Sequence, residues 1–242
     1  MGIEQKVAVI TGASQGIGAA LVKAYRDHNY RVVATARSIK PSKDDEVVTV
    51  PGDIADRKTA ERAISEGVTR FGRIDTLVNN AGIFISKPFT QYTEADYGAM
   101  LAVNIAGFFH ITQLAVAEME KQGSGHVVQI TTSLVDHAIA GVPSVLASLT
   151  KGGLAAATKS LAIEYAKRGI RVNAVAPGII KSPMHPVDTY AQLDALHPST
   201  IWARSPTSLA RSSTSSRHPS RRAKSFTSTA ARAQVIEPNP TP

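Results

Sequence analysis

With 242 residues, 43% of them hydrophobic and 5% aromatic, the chain is long enough for one large domain with an aliphatic core. It has no cysteine, which excludes a disulfide framework and a cysteine-ligated zinc site. Its net charge of +8 is typical of nucleic-acid-binding proteins, but residues 199–242 hold seven Lys and Arg against one Asp or Glu, whereas residues 1–198 hold 20 against 18. The excess charge therefore belongs mainly to the C-terminal segment, and we expect no nucleic acid partner.

Short apolar segments alternate with longer helical patterns along residues 1–198, which we predict to be one domain. The apolar segments have the composition of parallel strands that are buried on both faces. Strand and helix in alternation predict an α/β protein: a doubly wound parallel sheet of the Rossmann type in three α/β/α layers, with ligands at the carboxyl ends of the strands. The predicted strands are Val7 to Ile10, Arg31 to Thr35, Val47 to Val50, Thr76 to Asn79, Gly125 to Thr131 and Arg171 to Val175, and the predicted helices cover residues 15–28, 56–70, 92–121 (as two helices) and 144–168.

The turn after the first predicted strand is rich in glycine. Its sequence is Thr11-Gly12-Ala13-Ser14-Gln15-Gly16-Ile17-Gly18, and a helical segment rich in Ala and Leu follows it. Glycine lets the backbone turn sharply and approach a ligand closely, and the free N–H groups at a helix N-terminus attract anions. The turn therefore predicts a site for the pyrophosphate of a dinucleotide; the alternative is a tight loop without a ligand.

Three further segments occur in a fixed order after this turn. They are Asn79-Asn80-Ala81-Gly82 at the end of the fourth strand, Asn104 in Val103-Asn104-Ile105-Ala106-Gly107, and Pro177-Gly178 after the sixth strand. Together with the glycine turn, this ordered set closely resembles the classical short-chain dehydrogenase/reductase family over residues 5–198. The resemblance implies a nicotinamide dinucleotide as the cofactor and a small alcohol or carbonyl compound as the substrate.

The end of the second predicted strand distinguishes the two nicotinamide cofactors. An acidic residue at this place accepts hydrogen bonds from the adenosine ribose and repels a 2′-phosphate. Here Ala36 takes that place and Arg37 follows it, so the repulsion is absent and a guanidinium is available for the phosphate. The pattern predicts NADP(H) in preference to NAD(H); the alternative for Arg37 is a solvated surface residue.

The resemblance assigns more positions to cofactor binding. Asp53 and Ile54 would flank the adenine, although Asp53 also fits the N-cap of the helix that starts near Asp56. Ile179 to His185 resemble the loop that covers the nicotinamide and the substrate. No metal site is predicted, and the predicted cofactor-binding residues are Gly12, Ser14, Gln15, Gly16, Ile17, Gly18, Arg37, Asp53, Ile54, Asn80, Ala81, Gly82, Lys151, Pro177, Gly178, Ile180 and Ser182.

The resemblance also implies a catalytic set. In the family, a tyrosine exchanges a proton with the substrate oxygen, and a serine holds that oxygen. A lysine four residues after the tyrosine lowers the pKa of the phenol and binds the nicotinamide ribose, and an asparagine holds a water of the proton relay. Lys151 fits the lysine and Asn104 fits the asparagine. For the serine we favour Ser133, with Thr132 as the close alternative.

The tyrosine itself is missing. The residue four positions before Lys151 is Ala147, and none of the six tyrosines, at positions 25, 30, 92, 97, 165 and 190, takes an equivalent place. His137 is a candidate substitute, because an unperturbed histidine titrates near pH ~6.5, but a lone loop histidine is more often a surface residue. The sequence therefore predicts an NADP(H)-dependent oxidoreductase that interconverts an alcohol and a carbonyl, or a catalytically impaired NADP(H)-binding protein.

Residues 199–242 do not continue the resemblance. The family ends in a further helix and a last strand with a Val-Asp-Gly-Gly-like turn, whereas this segment is rich in Ser, Thr, Arg and Pro. Codons for AKSFTSTAARAQVI, residues 223–236, can be chosen so that a shifted reading frame encodes GEILHVDGGQSAGH, which resembles the missing strand and turn. We therefore predict a frameshifted, disordered tail and a lost last strand; the alternative is a basic tail that binds nucleic acid.

The remaining expectations concern location and assembly. No segment is long and apolar enough to span a membrane, and Met1 to Gln5 lead into the first strand without the apolar core of a signal peptide. We therefore expect a cytoplasmic protein with no membrane partner. The resemblance implies a homo-oligomer, although loss of the last strand would remove part of the subunit contacts.

Overall fold

A parallel sheet of six strands forms the centre of the protein in this computed structural model, which describes residues 5–180 and 182–183. The strands are β1 (Val7–Thr11), β2 (Arg31–Ala36), β3 (Val47–Pro51), β4 (Thr76–Asn79), β5 (Gly125–Ile130) and β6 (Ile170–Val175). Their order is β3-β2-β1-β4-β5-β6, and every neighbouring pair is parallel. The chain therefore runs outward in two directions from the gap between β1 and β4, which confirms the predicted doubly wound fold.

Helices cover both faces of this sheet. They are α1 (Gly16–Asp27), α2 (Arg57–Phe71), α3 (Glu94–Met100), α4 (Gly107–Gln122) and α5 (Val145–Tyr165). On one face, α2, α4 and α5 pack on a core that includes Val7, Val9 and Leu77, and on the other face α1 packs on Ala8 and Ile10. Successive residues of β1 thus point to opposite faces that are both buried, which is why the strand is an unbroken apolar run.

The predicted pair of helices over residues 92–121 is confirmed, but the two helices are continuous. A π-helical segment, Leu101–Ala106, joins α3 to α4. The result is a helical stretch of 29 residues, Glu94–Gln122, with a mean hydropathy of 1.6. Our expectation that no segment would be long and apolar enough to span a membrane was therefore wrong. In the fold this stretch is a core helix, because Met100, Ile111 and Met119 are fully buried.

Strand β6 is the edge of the sheet in the described part of the chain. It pairs with β5 alone, and Val175 at its end is 45% exposed. The predicted domain boundary at residue 198 and the predicted frameshifted tail, residues 199–242, lie outside the described residues. The frameshift and the lost strand therefore stay predictions.

We expect the chain to become more stable when the other reading frame is restored from residue 199 onward. The restored segment would pair with the outer edge of β6 and cover Val175. For a chain of this size, each kcal/mol of stability raises Tm by about 2–4 °C, and we expect a rise of at least that size in calorimetry, with less aggregation. A measured mass of 25.6 kDa must first show that the unaltered chain carries the present tail. An unchanged Tm, with amides of residues 199–242 protected from exchange, would refute the frameshift.

Candidate active site

A cavity of about 400 Å³ opens at the carboxyl ends of the strands. Doubly wound sheets bind their ligands at this edge, because the loops after neighbouring strands meet there. Every predicted cofactor-binding residue except Gly18 lines the cavity. The lining also includes Thr132, Ala147 and Ala36, together with the unpredicted Thr35, Ser38, Gly52, Ile83, Phe84, Val103, Ile130, Thr131 and Pro183.

The geometry of the turn between β1 and α1 requires its glycines. Gly12 and Gly16 have φ values of +64° and +54°, in the left-handed region that favours glycine. A Cβ on Gly18 would collide with the carbonyl oxygen of Gly12 and lie 2.7 Å from Asn80 Nδ2. Gly18 thus does not line the cavity but lets α1 approach the turn closely.

The N-terminus of α1 opens toward the cavity. Its N-cap residue, Gln15, makes no side-chain hydrogen bond to the helix, and the first turn contains no acidic residue. Ser14, Gln15, Gly16 and Ile17 all line the cavity at this point. The first N–H groups of a helix have no intrahelical partner, so this end fits the pyrophosphate of a dinucleotide.

The segment after β4 is bound to the end of β1. Asn80 Nδ2 donates to the carbonyl oxygens of Thr11 (2.9 Å) and Gly12 (3.2 Å). The backbone N–H groups of Asn80 and Ala81 donate to Thr11 Oγ1 at 3.0 and 2.9 Å. These four bonds fix the glycine turn beside the Asn-Ala-Gly segment, so Asn80 shapes this end of the cavity through the backbone that it holds.

Arg37 and Asp53 line the cavity after β2 and β3. Arg37 is exposed and, among the described residues, has no acidic partner, so its guanidinium is available to an anion. Asp53 Oδ1 accepts from the N–H of Ala55 (3.0 Å). The N-cap of α2 is Asp56, whose side chain accepts a backbone N–H of the first turn, so the alternative of Asp53 as N-cap was wrong.

Lys151 lies on α5, near the end of β5. Its Nζ donates to the carbonyl oxygen of Ile130 over 2.8 Å. Burial lowers the pKa of Lys151 to about 8, and no carboxylate within residues 5–180 pairs with it. A Cβ on Gly82 would lie 2.9 Å from this Nζ, so the glycine after β4 makes room for the ammonium group.

Ala147 lies one helical turn before Lys151 and also lines the cavity. It is 2% exposed and packs with Met100 and Leu146, so its surroundings are apolar. No tyrosine in the described part of the chain lines the cavity, and Tyr190 lies outside that part. The described lining therefore lacks a phenol at the place where the family resemblance implies one.

Asn104 lies in the π-helical segment and is 1% exposed. Its Oδ1 accepts from the N–H of Ile83 (2.9 Å), and its Nδ2 donates to the Ile83 carbonyl (3.1 Å) and to Thr150 Oγ1 (3.1 Å). The side chain does not line the cavity; it holds the segment after β4 against α5. Its predicted role in a proton relay stays a prediction.

The structure separates the candidates for the remaining polar roles. Thr132 lines the cavity, and its Oγ1 accepts from the N–H of Leu134 (3.3 Å). Ser133, which the sequence favoured, does not line the cavity; its Oγ lies 3.9 Å from the place of a Cβ on Gly178. His137 is exposed and also absent from the lining. The geometry thus favours Thr132 over Ser133 and a surface role for His137, while their catalytic roles stay predictions.

Sequence reasoning missed three lining residues of interest. Ile83 and Phe84 follow the Asn-Asn-Ala-Gly segment directly and, with Ala147, make one wall of the cavity apolar. Thr35 precedes Ala36 at the end of β2; it is 1% exposed, and its Oγ1 has no hydrogen-bond partner. Their positions beside predicted motif residues were the signal that could have identified them.

Comparison with known proteins gives a consistent result. The sequence profile of the short chain dehydrogenases matches residues 6–191. The chain is 36% identical to the 3-oxoacyl-(acyl-carrier-protein) reductase of Thermotoga maritima over 193 residues, which are 76% of this chain and 78% of that one. It is 35% identical to the L-fucose dehydrogenase of Mus musculus over 186 residues, 74% of this chain and 67% of that one. The solved structure of ElxO with NADP bound aligns with a TM-score of 0.76 at 28% identity, covering 83% of this chain and 87% of the other.

The fold has a Rossmann-type parallel sheet with a glycine turn after β1. Together with the matched relatives, it defines the protein as an oxidoreductase. The chain belongs to the short chain dehydrogenase family. By their names, the two relatives act on different compounds, a 3-oxoacyl group on acyl carrier protein and L-fucose. Family membership therefore leaves the substrate open.

Proposed function

We propose that this protein interconverts an alcohol and a carbonyl compound with NADP(H). The observation that carries the proposal is that Arg37 and Lys151 line the same cavity. Arg37 follows β2, and Lys151 lies near the end of β5. The bound nicotinamide would supply or accept the hydride. The proposal is supported by the NADP that ElxO, a structural neighbour, binds. Turnover of a carbonyl panel with NADPH, followed by absorbance, tests it.

The residues at the adenosine end would hold the cofactor by charge and shape. The N–H groups at the start of α1 would bind the pyrophosphate. Arg37 would bind the 2′-phosphate through a charge-assisted pair, and Asp53 and Ile54 would flank the adenine. Asn80, through the bonds described above, would keep the glycine turn in place.

The residues at the other end would hold the nicotinamide and the substrate. Lys151 would bind the nicotinamide ribose, and Pro177, Gly178, Ile180 and Ser182 would cover the ring and the phosphates. Thr132 or Ser133 would donate a hydrogen bond to the substrate oxygen. Because Ile83, Phe84 and Ala147 make the adjacent wall apolar, a carbonyl compound with an apolar substituent fits this end best.

NADPH is expected to bind more tightly than NADH, and Arg37→Ala is expected to reduce the ratio of the two Kd values about tenfold or more. A charge-assisted hydrogen bond contributes roughly 1.5–3 kcal/mol, which corresponds to this change. Calorimetric titration with both cofactors measures it. Lys43→Ala is the matched control, because Lys43 is an exposed cation that does not line the cavity. Equal affinities in the unaltered protein would contradict the assignment.

A second function, NADP(H) binding without turnover, is favoured by one observation: the alanine at position 147. Tight NADPH binding together with no oxidation or reduction across a broad panel of alcohols and carbonyl compounds would distinguish this second function from the first. A gain in carbonyl reduction on replacement of Ala147 by tyrosine would show that the missing phenol limits turnover.

Assembly and location are also proposed rather than shown. Leu149 and Ile163 on α5 are 58% and 65% exposed, and Phe109 on α4 is 55% exposed, which supports a homo-oligomer. Light scattering would measure the oligomeric state. A cytoplasmic location and the absence of membrane and nucleic acid partners stay predictions.

A further inference from the structure

Three ionisable side chains line the described part of the cavity: Arg37, Asp53 and Lys151. Arg37 and Asp53 follow β2 and β3, whereas Lys151 contacts the end of β5. From β2 to β5 the sheet order counts three strand spacings, which amount to about 14 Å. A substrate that contacts Ala147 is therefore out of reach of the two distant groups, and Lys151 is the one described lining group near it that can exchange a proton.

The ammonium group of Lys151 has hydrogen-bonding capacity to spare. An ammonium carries three N–H donors, and the Ile130 carbonyl takes one of them. The nicotinamide ribose that Lys151 would bind takes a second donor, and no carboxylate among residues 5–180 competes for the third. Ala147, one helical turn earlier, also lines the cavity and carries no atom beyond its Cβ.

We propose that Lys151 is the general acid and base of this site, and that it exchanges a proton with the substrate oxygen in the part of the cavity that Lys151 and Ala147 both line. This inference rests on the proposed function. The family resemblance implies that the lysine lowers the pKa of a tyrosine, whereas here the lysine would exchange the proton itself. In reduction, the carbonyl oxygen gains negative charge as the carbon receives hydride, and it takes a proton from Nζ. An O–H bond forms, an N–H bond breaks, and the electron pair stays on a neutral amine, which water reprotonates.

The surroundings of Nζ suit this role. Burial, rather than a nearby charge, lowers the pKa of Lys151 to about 8. Nζ donates to the carbonyl of Ile130, and Nζ and Asn104 Oδ1 lie 2.9 and 3.2 Å from the place of a Cβ on Gly82, so these recorded neighbours of Nζ are uncharged. An acid with a pKa close to the working pH is effective in proton transfer. Reduction needs the ammonium, so its rate should fall as pH rises through about 8, whereas oxidation needs the amine and should become faster.

The first test measures proton binding without turnover. The unaltered protein is treated with acetic anhydride at a series of pH values, and acetylation of Lys151 is quantified by mass spectrometry. We expect half-maximal reactivity near pH 8. A midpoint near the ordinary lysine value of about 10.4 would overturn the proposal.

The second test removes proton exchange while keeping the positive charge. Arginine keeps its proton at all accessible pH values, so Lys151→Arg should retain NADPH affinity within about threefold and lose at least about 100-fold in reduction rate. Lys159→Arg, an exposed lysine two turns further along α5, is the matched control and should leave the rate unchanged. Full turnover in Lys151→Arg would refute proton exchange by Lys151 and would leave the proposed function standing.

A third variant covers the case in which the guanidinium does not fit beside Gly82. Lys151→Ala leaves space for a small amine, and added ethylamine should restore part of the lost rate, with larger gains from amines of higher pKa in the oxidation direction. Absence of rescue in a variant that is folded and binds NADPH would count against proton exchange by Nζ. Tight NADPH binding with no turnover by the unaltered protein would instead refute the proposed function, and this role with it.

Discussion

Replacing Ala147 with tyrosine is expected to raise the rate of carbonyl reduction by at least about tenfold. The new phenol would stand one helical turn from Lys151 and point into the same cavity. A positioned general acid contributes about 10²–10⁴-fold, and the gain should fall below the upper end because Lys151, as the proposed proton donor, would already supply a proton. Single-turnover kinetics at saturating NADPH measure the rate of the chemical step.

The matched control for this substitution is Ala147→Phe, which adds the same ring without the hydroxyl. It should lower the rate below that of the unaltered protein, because the ring fills the space between Lys151 and the substrate. Both variants insert a ring beside Met100 and Leu146, which costs about 1–3 kcal/mol of stability, so Tm is measured in parallel. Equal rates for the tyrosine and phenylalanine variants would show that the hydroxyl takes no part in proton transfer.

Gly18→Ala is expected to weaken NADPH binding by about 100-fold or to prevent folding. The added Cβ would meet the backbone carbonyl of Gly12, which no side-chain rotation can relieve, and would lie 2.7 Å from Asn80 Nδ2. Helix α1 would then move away from the glycine turn, and overpacking of this kind costs about 1–3 kcal/mol or more. The proposed pyrophosphate site would depend on that close approach, because it combines the turn with the first N–H groups of the helix.

The experiment compares Gly18→Ala with Gly98→Ala, in which the new Cβ on α3 meets no atom within 4 Å. Alanine is the better helix former, so the control should retain NADPH affinity and keep or slightly raise Tm. Fluorescence titration with NADPH and thermal unfolding are measured for both proteins. An unchanged Kd and Tm in Gly18→Ala would show that the glycine turn is not closed in the way described.

Most of the described fold was predictable from the sequence. All six strands lie within one residue of their predicted ends at each side, because buried parallel strands are short apolar runs whose limits are marked by polar or turn residues. The long helical stretch was harder. Its division into two helices was expected, but a π-helical segment rather than a break joins them, and one extra residue per turn leaves no mark in a hydrophobic pattern.

The candidate site was predictable where a motif also fixes local backbone geometry. Gly12 and Gly16 needed positive φ values, and both were identified from the turn sequence alone. By contrast, Ser133 and Thr132 are adjacent in the chain, and their order after β5 is compatible with either hydroxyl in the cavity. In the structure Thr132, the N-cap of the 3₁₀ turn at Ser133–Val135, lines the cavity, whereas Ser133 does not and its Oγ lies 3.9 Å from the place of a Cβ on Gly178.

The sequence by itself determined the family, the order of strands and helices, and the glycine turn after β1, and it predicted that Ala147 stands where the family resemblance implies a tyrosine. These features are carried by short segments, so residue identity and spacing are sufficient to recognise them. Only the tertiary structure decided that Asn104 is used to hold Ile83, that His137 lies outside the cavity, and that Lys151 is buried without a carboxylate partner. Those properties depend on how β4, β5 and α5 approach one another, and the desolvation that lowers the pKa of a lysine exists only once these distant segments have packed together.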